Sequence, residues 1–148
     1  MIVDLLQTLR SAATGLMDGS ALGPREGYEA ASSAVLGMAL ATLADQFDGA
    51  VAAYVEENAA LRALHAEGAA VARDDALRRR LAEAASGHDP DLCLSTLRTA
   101  NDALRALLID LHAWLETAQG DAERRLEARL WAELARSTER RRVALAPF

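Results

Sequence analysis

Five polar residues have the types and the spacing that could form a site inside a helical protein. Asn58 and Asn101 each occupy a position where the leucine periodicity would otherwise place an apolar side chain, so both are predicted to face inward. His65 follows Asn58 by seven residues, and Glu116 follows His112 by four, so each pair can share one helix face. In a bundle, such a set can line a small ligand or a metal between long helices.

A structural role is the favoured interpretation of the two asparagines. A buried amide without a partner costs about 1–3 kcal/mol, so each asparagine is expected to bind the other or a neighbouring backbone group. Asparagine in a helical seam fixes the register and the oligomeric state. Ligand contact and an exposed position are the two alternatives.

The sequence gives little support to a metal or a cofactor. The di-metal signature of helical bundles pairs Glu with His three residues later, and no Glu-x-x-His occurs in the chain. For His112 the alternative is a partly exposed residue beside Glu116 or Asp110, and for His65 a residue near a helix end. We therefore predict no metal and no cofactor.

Catalytic patterns are weak as well. His88 stands beside Asp89 and before Pro90, which could orient a general base, but a helix cap explains this cluster better. Cys93 is interpreted as an inert, partly buried residue near the start of a helix. All basic residues are arginine, a bacterial-type composition bias, so a mechanism that needs a lysine is excluded. The expectation leans against an enzyme, and no catalytic residue is assigned.

Helical patterns cover most of the chain and predict an all-α fold. The composition is 51% hydrophobic and 26% charged, which suits a folded protein with an ordinary core. We predict an elongated bundle of about four to five helices with mostly antiparallel, up-down packing. The predicted helices span residues 2–14, about 28–66, about 76–85, a segment that opens at Asp89-Pro90 and ends at Gly120, and 121–143.

The chain is expected to form a single domain over residues 1–148. An N-terminal helix and loop occupy residues 1–27, the long-helix bundle residues 28–143, and an apolar tail residues 144–148. Leucines recur at steps of three and four, and both tryptophans, Trp114 and Trp131, are assigned to the core by default.

A weak internal repeat accompanies these helices. The segment that starts at Asn58 recurs from Asn101, an offset of 43 residues, and arginine-rich helices that start at Asp75 and Asp121 follow at an offset of 46. Two related helical hairpins would produce this pattern. Chance matches in a chain rich in Ala, Leu and Arg are the favoured alternative.

Residues 30–44 carry no charge, and they are too few and too rich in small side chains to span a membrane. Small residues let helix backbones approach closely. If the leucine side of this helix is buried within the chain, the alanine side is a predicted homodimer contact about a two-fold axis. The predicted interface residues are Ala31, Ala34, Ala41 and Ala44.

Two function hypotheses follow. The first is a non-enzymatic helical scaffold or protein-interaction module that forms a homodimer and that an unidentified protein could bind. The second is a bundle that binds a small ligand or metal between its long helices.

The net charge of −6 and the acidic partners available to the arginine runs argue against nucleic-acid binding. The single cysteine and the N-terminal residues, which lack an export-type pattern, predict a cytoplasmic location.

Overall fold

The computed structural model describes residues 4–21, 23 and 26–141, and the described residues form five helices. These are α1 (Leu5–Met17), α2 (Tyr28–Val71), α3 (Asp75–Ser86), α4 (Leu94–Thr117) and α5 (Asp121–Arg140). No strand occurs among them. The all-α prediction and the very long helix are confirmed, and α2 continues five residues beyond its predicted end. The predicted tail, 144–148, lies outside the described residues.

The start and the end of α3 follow from local signals. The Asp74 carboxylate accepts hydrogen bonds from the backbone N–H groups of Ala76 (2.7 Å) and Leu77 (3.1 Å), which satisfies two donors that the first helical turn leaves open. Hydrogen bonds from Leu77 and then Ala76 lower the pKa of Asp74. Gly87 follows the last helical residue, Ser86.

The predicted start of α4 at Asp89-Pro90 is wrong. The helix begins at Leu94, and Cys93 is its exposed N-cap residue, so the expected partial burial of this thiol is also wrong. Asp89 does not cap the helix because its carboxylate is bound by the side chains of Arg62 and Asn58 on α2. A contact distant in sequence therefore overrides a local capping signal.

The described residues divide into two compact units, one that ends at residue 50 and one that spans residues 51–141. The division falls inside α2 and not near residue 27, where the N-terminal loop ends. The boundary between the two units therefore lies further along the chain than the predicted end of the N-terminal segment, because α1 packs on the first half of α2.

In the larger unit, α2 from residue 51 onwards, α3, α4 and α5 form a four-helix bundle around a leucine core. Leu61, Leu81, Leu111 and Leu130 are each no more than 2% exposed. Trp114 packs partly buried against this core, whereas Trp131 is 54% exposed, so its assignment to the core is wrong. The remaining buried members of the cluster are Leu64, Ala72, Leu77, Leu104, Leu107, Leu108, Leu115 and Leu126.

Within this bundle, α2 and α4 run in the same direction with a constant register. The Asn101 side chain donates a hydrogen bond to that of Asn58, 43 residues earlier. Gly68 faces Leu111, again 43 residues later, and a Cβ added to this glycine would lie 3.0 Å from both methyl groups of the leucine. The repeat offset in the sequence is therefore the contact register of the two helices.

Equivalent ion pairs join the other helices of the bundle. Glu67 on α2 binds Arg129 on α5, and Asp110 on α4 binds Arg80 on α3 at 2.7 Å. The acids are 43 residues apart and the arginines 49. The buried pair Leu77 and Leu81 on α3 matches Leu126 and Leu130 on α5 at the same offset of 49, and not at the 46 that the helix starts suggested. Two related helical hairpins, one of the two interpretations of the repeat, would produce this correspondence.

The smaller unit consists of α1 packed antiparallel on the first half of α2. Gly37 of α2 lies beneath the C-terminal turn of α1, and Arg10 of α1 binds Asp45 (3.2 Å) and Asp48 (3.0 Å) further along α2. Gly37 is buried and Ala44 is 0% exposed. Small side chains on α2 thus allow the close approach of α1.

Replacing Gly37 by alanine is expected to detach α1, although alanine favours a helix. The new Cβ would lie 2.6 Å from Met17 Cγ and 2.7 Å from the carbonyl oxygen of Ala13, and the latter cannot move without the helix. We expect a cost of about 1–3 kcal/mol, measured as loss of amide exchange protection in α1. Gly49→Ala is the matched control, since nothing lies within 4 Å of its Cβ, and it should stabilise by about 1 kcal/mol. Equal protection of α1 in both variants would contradict this packing.

Candidate functional site

The two inward-facing asparagines lie at the centre of a buried polar cluster between α2 and α4. Asn58 is 0% and Asn101 1% exposed, which confirms that both face inward. Asn101 Nδ2 donates to Asn58 Oδ1 at 3.0 Å, and Asn58 Nδ2 donates to the backbone oxygen of Leu97 at 3.2 Å. Each amide is therefore satisfied by protein groups, as the register interpretation predicted.

An ion pair from the α3–α4 connection closes one side of this cluster. Asp89 Oδ1 accepts hydrogen bonds from Arg62 (2.6 Å) and from Asn58 Nδ2 (3.0 Å). The hydrogen bond from Arg62, supported by that from Asn58, outweighs partial burial and lowers the pKa of Asp89. Because both side chains of the Arg62–Asp89 pair are largely buried, its charges attract more strongly than those of a surface pair.

A second carboxylate, that of Glu57, closes the other side. It accepts a hydrogen bond from Arg105 Nε at 2.6 Å and one from Arg141 Nη2 at 3.0 Å. Burial alone would raise the pKa of Glu57, but the hydrogen bonds from Arg105 and Arg141 outweigh burial and hold the pKa below its usual value. Arg141 also donates to Asn101 Oδ1 at 3.2 Å, which ties the end of α5 to the asparagines. We call these seven residues the polar layer: Glu57, Asn58, Arg62, Asp89, Asn101, Arg105 and Arg141.

His65 lies two turns beyond Asn58 on α2 and does not join the polar layer. The side chain is 0% exposed, and neither ring nitrogen has a hydrogen-bond partner among the described residues. Burial, followed by the nearby positive charge of Arg62, lowers the pKa of His65 from 6.5 to about 4. The ring is therefore neutral at neutral pH. At the register of 43 residues its counterpart on α4 is the core residue Leu108.

The other two predicted ligand-binding residues lie apart from the asparagines. His112 is eleven residues after Asn101, or about 16 Å along α4. Its ring packs edge-on against that of Trp131, with 5.2 Å between the ring centres. Glu116 is exposed. The structure thus separates the proposed lining, and the described residues contain no cluster of His, Cys, Asp and Glu suited to a metal.

The predicted interface residues do not form a free surface. Ala44 is 0% exposed, Ala34 and Ala41 are half-buried, and Ala31 is exposed. The expected roles of the two sides of α2 are reversed in this unit, because α1 covers the small residues and leaves large ones uncovered. We call the uncovered residues the α2 stripe: Tyr28, Val35, Leu36, Leu43 and Phe47, which are 53–86% exposed.

Sequence reasoning identified the two asparagines of the polar layer and missed its charged members as site residues. Arg62 and Arg105 occupy the same position of the repeated segment, four residues after each asparagine, and this equivalence was the available signal. Asp89, Glu57 and Arg141 carry no such signal, because their contacts span 27 to 84 residues of the chain.

The polar layer can hold helices in register, since its carboxylates are ion-paired and its amides have hydrogen-bond partners.

Across the described part of the chain, none of the five helices has the length and apolar character to cross a bilayer. Comparisons with protein-family models, curated proteins and solved structures found no match to this chain.

Proposed function

We propose that this chain is a non-enzymatic helical interaction module that self-associates, with the α2 stripes of two copies packed against each other. The observation that carries the proposal is the exposure of the stripe. Tyr28 is 86% exposed, and Leu36, Leu43 and Phe47 are each more than half exposed. Large apolar side chains gathered on one uncovered helix side are typical of a surface that a protein buries on association.

The charge pattern favours a second copy as the occupant. A two-fold axis brings a surface against itself, so a charged interface would place like charges together. Residues 30–44 contain no charged side chain, and the acids that follow, Asp45 and Asp48, are already paired with Arg10. An antiparallel arrangement about an axis near Ala39 then sets Leu36 of one copy against Leu43 of the other.

The size of the stripe also suits this assignment. With side-chain areas of about 150–250 Å² each, the exposed fractions leave on the order of 600 Å² of apolar surface per copy. A stable interface buries about 800 Å² per partner, and polar rim residues would supply the difference. The stripe therefore accounts for most of the area that a specific dimer needs.

In this proposal the polar layer gives the bundle one defined register. The asparagines bind each other and their neighbours, which supports a structural role over ligand contact. We propose a cytoplasmic location, because the exposed free thiol of Cys93 suits a reducing compartment. The net charge of −6 supports a protein partner over nucleic acid.

The double variant Leu36→Glu/Leu43→Glu tests the proposal. Because four carboxylates would meet in the two-fold interface, we expect its dissociation constant to rise at least about 100-fold, measured by sedimentation equilibrium. Ile109→Glu is the matched control, since it changes an exposed apolar residue of α4 (69%) and should leave dimerisation unchanged. Circular dichroism checks that both variants fold. Equal dissociation constants for both variants and the unmodified chain would refute the assignment of the stripe.

A further inference from the structure

A cleft of about 510 Å³ lies beside the polar layer, between α4 and α5. Its lining includes Arg105, Arg141, Ser137 and Thr138, and the Thr138 hydroxyl already donates to the backbone oxygen of Leu134 at 3.0 Å. Guanidinium and hydroxyl donors that converge on one space are typical of sites for carboxylates and phosphates. The carboxylate of Glu139, which is exposed, also lines the cleft.

The charges of the polar layer beside the cleft do not cancel. Glu57 binds both Arg105 and Arg141, so this group of three side chains carries one net positive charge. The side chain of Glu57 is 3% exposed, whereas those of Arg105 and Arg141 are 35% and 44% exposed, so both guanidinium groups can be reached from solvent. An anion in the cleft would therefore be attracted to the arginines, while Glu139 acts against it.

Several hydrogen-bond donors at the cleft have no acceptor among the described residues. Arg105 uses Nε for Glu57 and Nη2 for Ser137 Oγ, both at 2.6 Å, and no described residue accepts from its Nη1. Arg141 uses Nη2, and within the described part of the chain no group accepts from its Nε or Nη1. Ser137 is 3% exposed and accepts from Arg105, yet its own O–H has no acceptor in the described structure. A bound oxyanion would accept from these groups.

We propose that this cleft binds a small molecule through a phosphate or carboxylate group, held by Arg105, Arg141 and the Ser137 hydroxyl. The site is distinct from the α2 stripe, and its ligand does not depend on self-association. The Arg141 guanidinium lies 5.7 Å from the centre of the Tyr54 ring, which helps to hold it in place. The oxyanion would complete a network whose carboxylate, Glu57, already orients both arginines.

Isothermal titration calorimetry with inorganic phosphate and with succinate tests this site, at constant ionic strength set with sodium chloride. We expect saturable binding of one anion per chain, with the tighter probe identifying the phosphate or the carboxylate class. Ser137→Ala should weaken binding about tenfold, because one donor is lost while the Glu57 ion pairs are kept. Arg105→Gln should abolish binding.

Arg80→Gln is the matched control, since it removes the same charge from an exposed ion pair with Asp110 and should leave the affinity unchanged. Arg105→Gln breaks a contact with a buried carboxylate, so its folding is checked by circular dichroism. If Arg105→Gln unfolds, the binding measured for Ser137→Ala decides the test. Absence of saturable binding by either probe up to about 10 mM would overturn the proposal. Equal losses in Arg105→Gln and Arg80→Gln would also overturn it, because general charge attraction would then explain the signal.

Discussion

Replacing Asn58 by leucine is expected to lower the free energy of unfolding by about 2–4 kcal/mol, although leucine fills most inward positions of this bundle. The substitution removes the acceptor of Asn101 Nδ2 and one of the two donors to Asp89. Asn101 then keeps a buried N–H group without a partner, and an unsatisfied buried group costs more than one hydrogen bond contributes. Chemical denaturation of the purified variant measures the loss.

The double variant Asn58→Leu/Asn101→Leu should be more stable than the sum of the single losses predicts. With both amides removed, neither leaves an unpaired partner, so we expect a coupling energy of about 1–3 kcal/mol. Thr99→Leu is the control, because it adds leucine at an exposed position of α4. Small and additive effects of both single variants would show that the asparagines are not coupled.

Substitution of His65 by leucine is expected to remove a large pH dependence of stability. The folded pKa is about 4 against an ordinary 6.5, so between these values the unfolded chain binds a proton that the folded chain does not. The free energy of unfolding therefore falls as the pH decreases from about 6.5 to about 4. The loss amounts to about 3 kcal/mol at pH 4.

Denaturation series at pH 7, 6 and 5 measure this contribution as the difference between the variant and the unmodified chain. At pH 7 the variant should be at least as stable, because leucine occupies the equivalent position 108 and leaves no unpaired nitrogen. His88→Gln changes an exposed histidine and should keep the pH dependence. Parallel pH curves for His65→Leu and the unmodified chain would contradict the buried, neutral state of His65.

We propose that the polar layer is what makes a bundle rich in leucine, alanine and arginine select one register. A leucine seam shifted by one heptad buries nearly the same apolar surface, so hydrophobic burial alone discriminates weakly between registers. In a shifted register Asn58 and Asn101 would not meet, and the acceptors that Asp89 and Glu57 provide would lose their arginines. Buried polar groups thus penalise the alternatives more than they stabilise the fold.

Local patterns predicted the helices well, because apolar residues recur at helical spacing, and α1 and α3 also carry their own side-chain caps. Asp74 caps α3, since its carboxylate lies next to the free N–H groups of the first turn. The start of α4 could not be predicted in this way. Asp89 precedes a proline and has every local feature of a cap, but Arg62, 27 residues earlier, binds its carboxylate.

Local patterns also could not show which side of α2 is exposed or which charged residues join the polar layer. Periodicity showed that α2 has an apolar side and a small-residue side, but not which of them α1 would cover. Asn58 and Asn101 could be predicted to face inward because they interrupt a leucine pattern. Glu57 and Arg141 could not be placed, since charged residues on helices are usually exposed, and only the packed bundle brings Arg141 within reach of Glu57.

The mass of the unmodified chain in solution tests the central claim, self-association through the α2 stripe, most directly. Multi-angle light scattering across a range of concentrations, followed by native mass spectrometry of the same sample, gives the mass of the assembly and of anything bound to it. A chain of 15.8 kDa should appear as a dimer of twice that mass at micromolar concentration. A monomer at every concentration would contradict the proposal, because the exposed apolar side of α2 would then have no second copy to cover it.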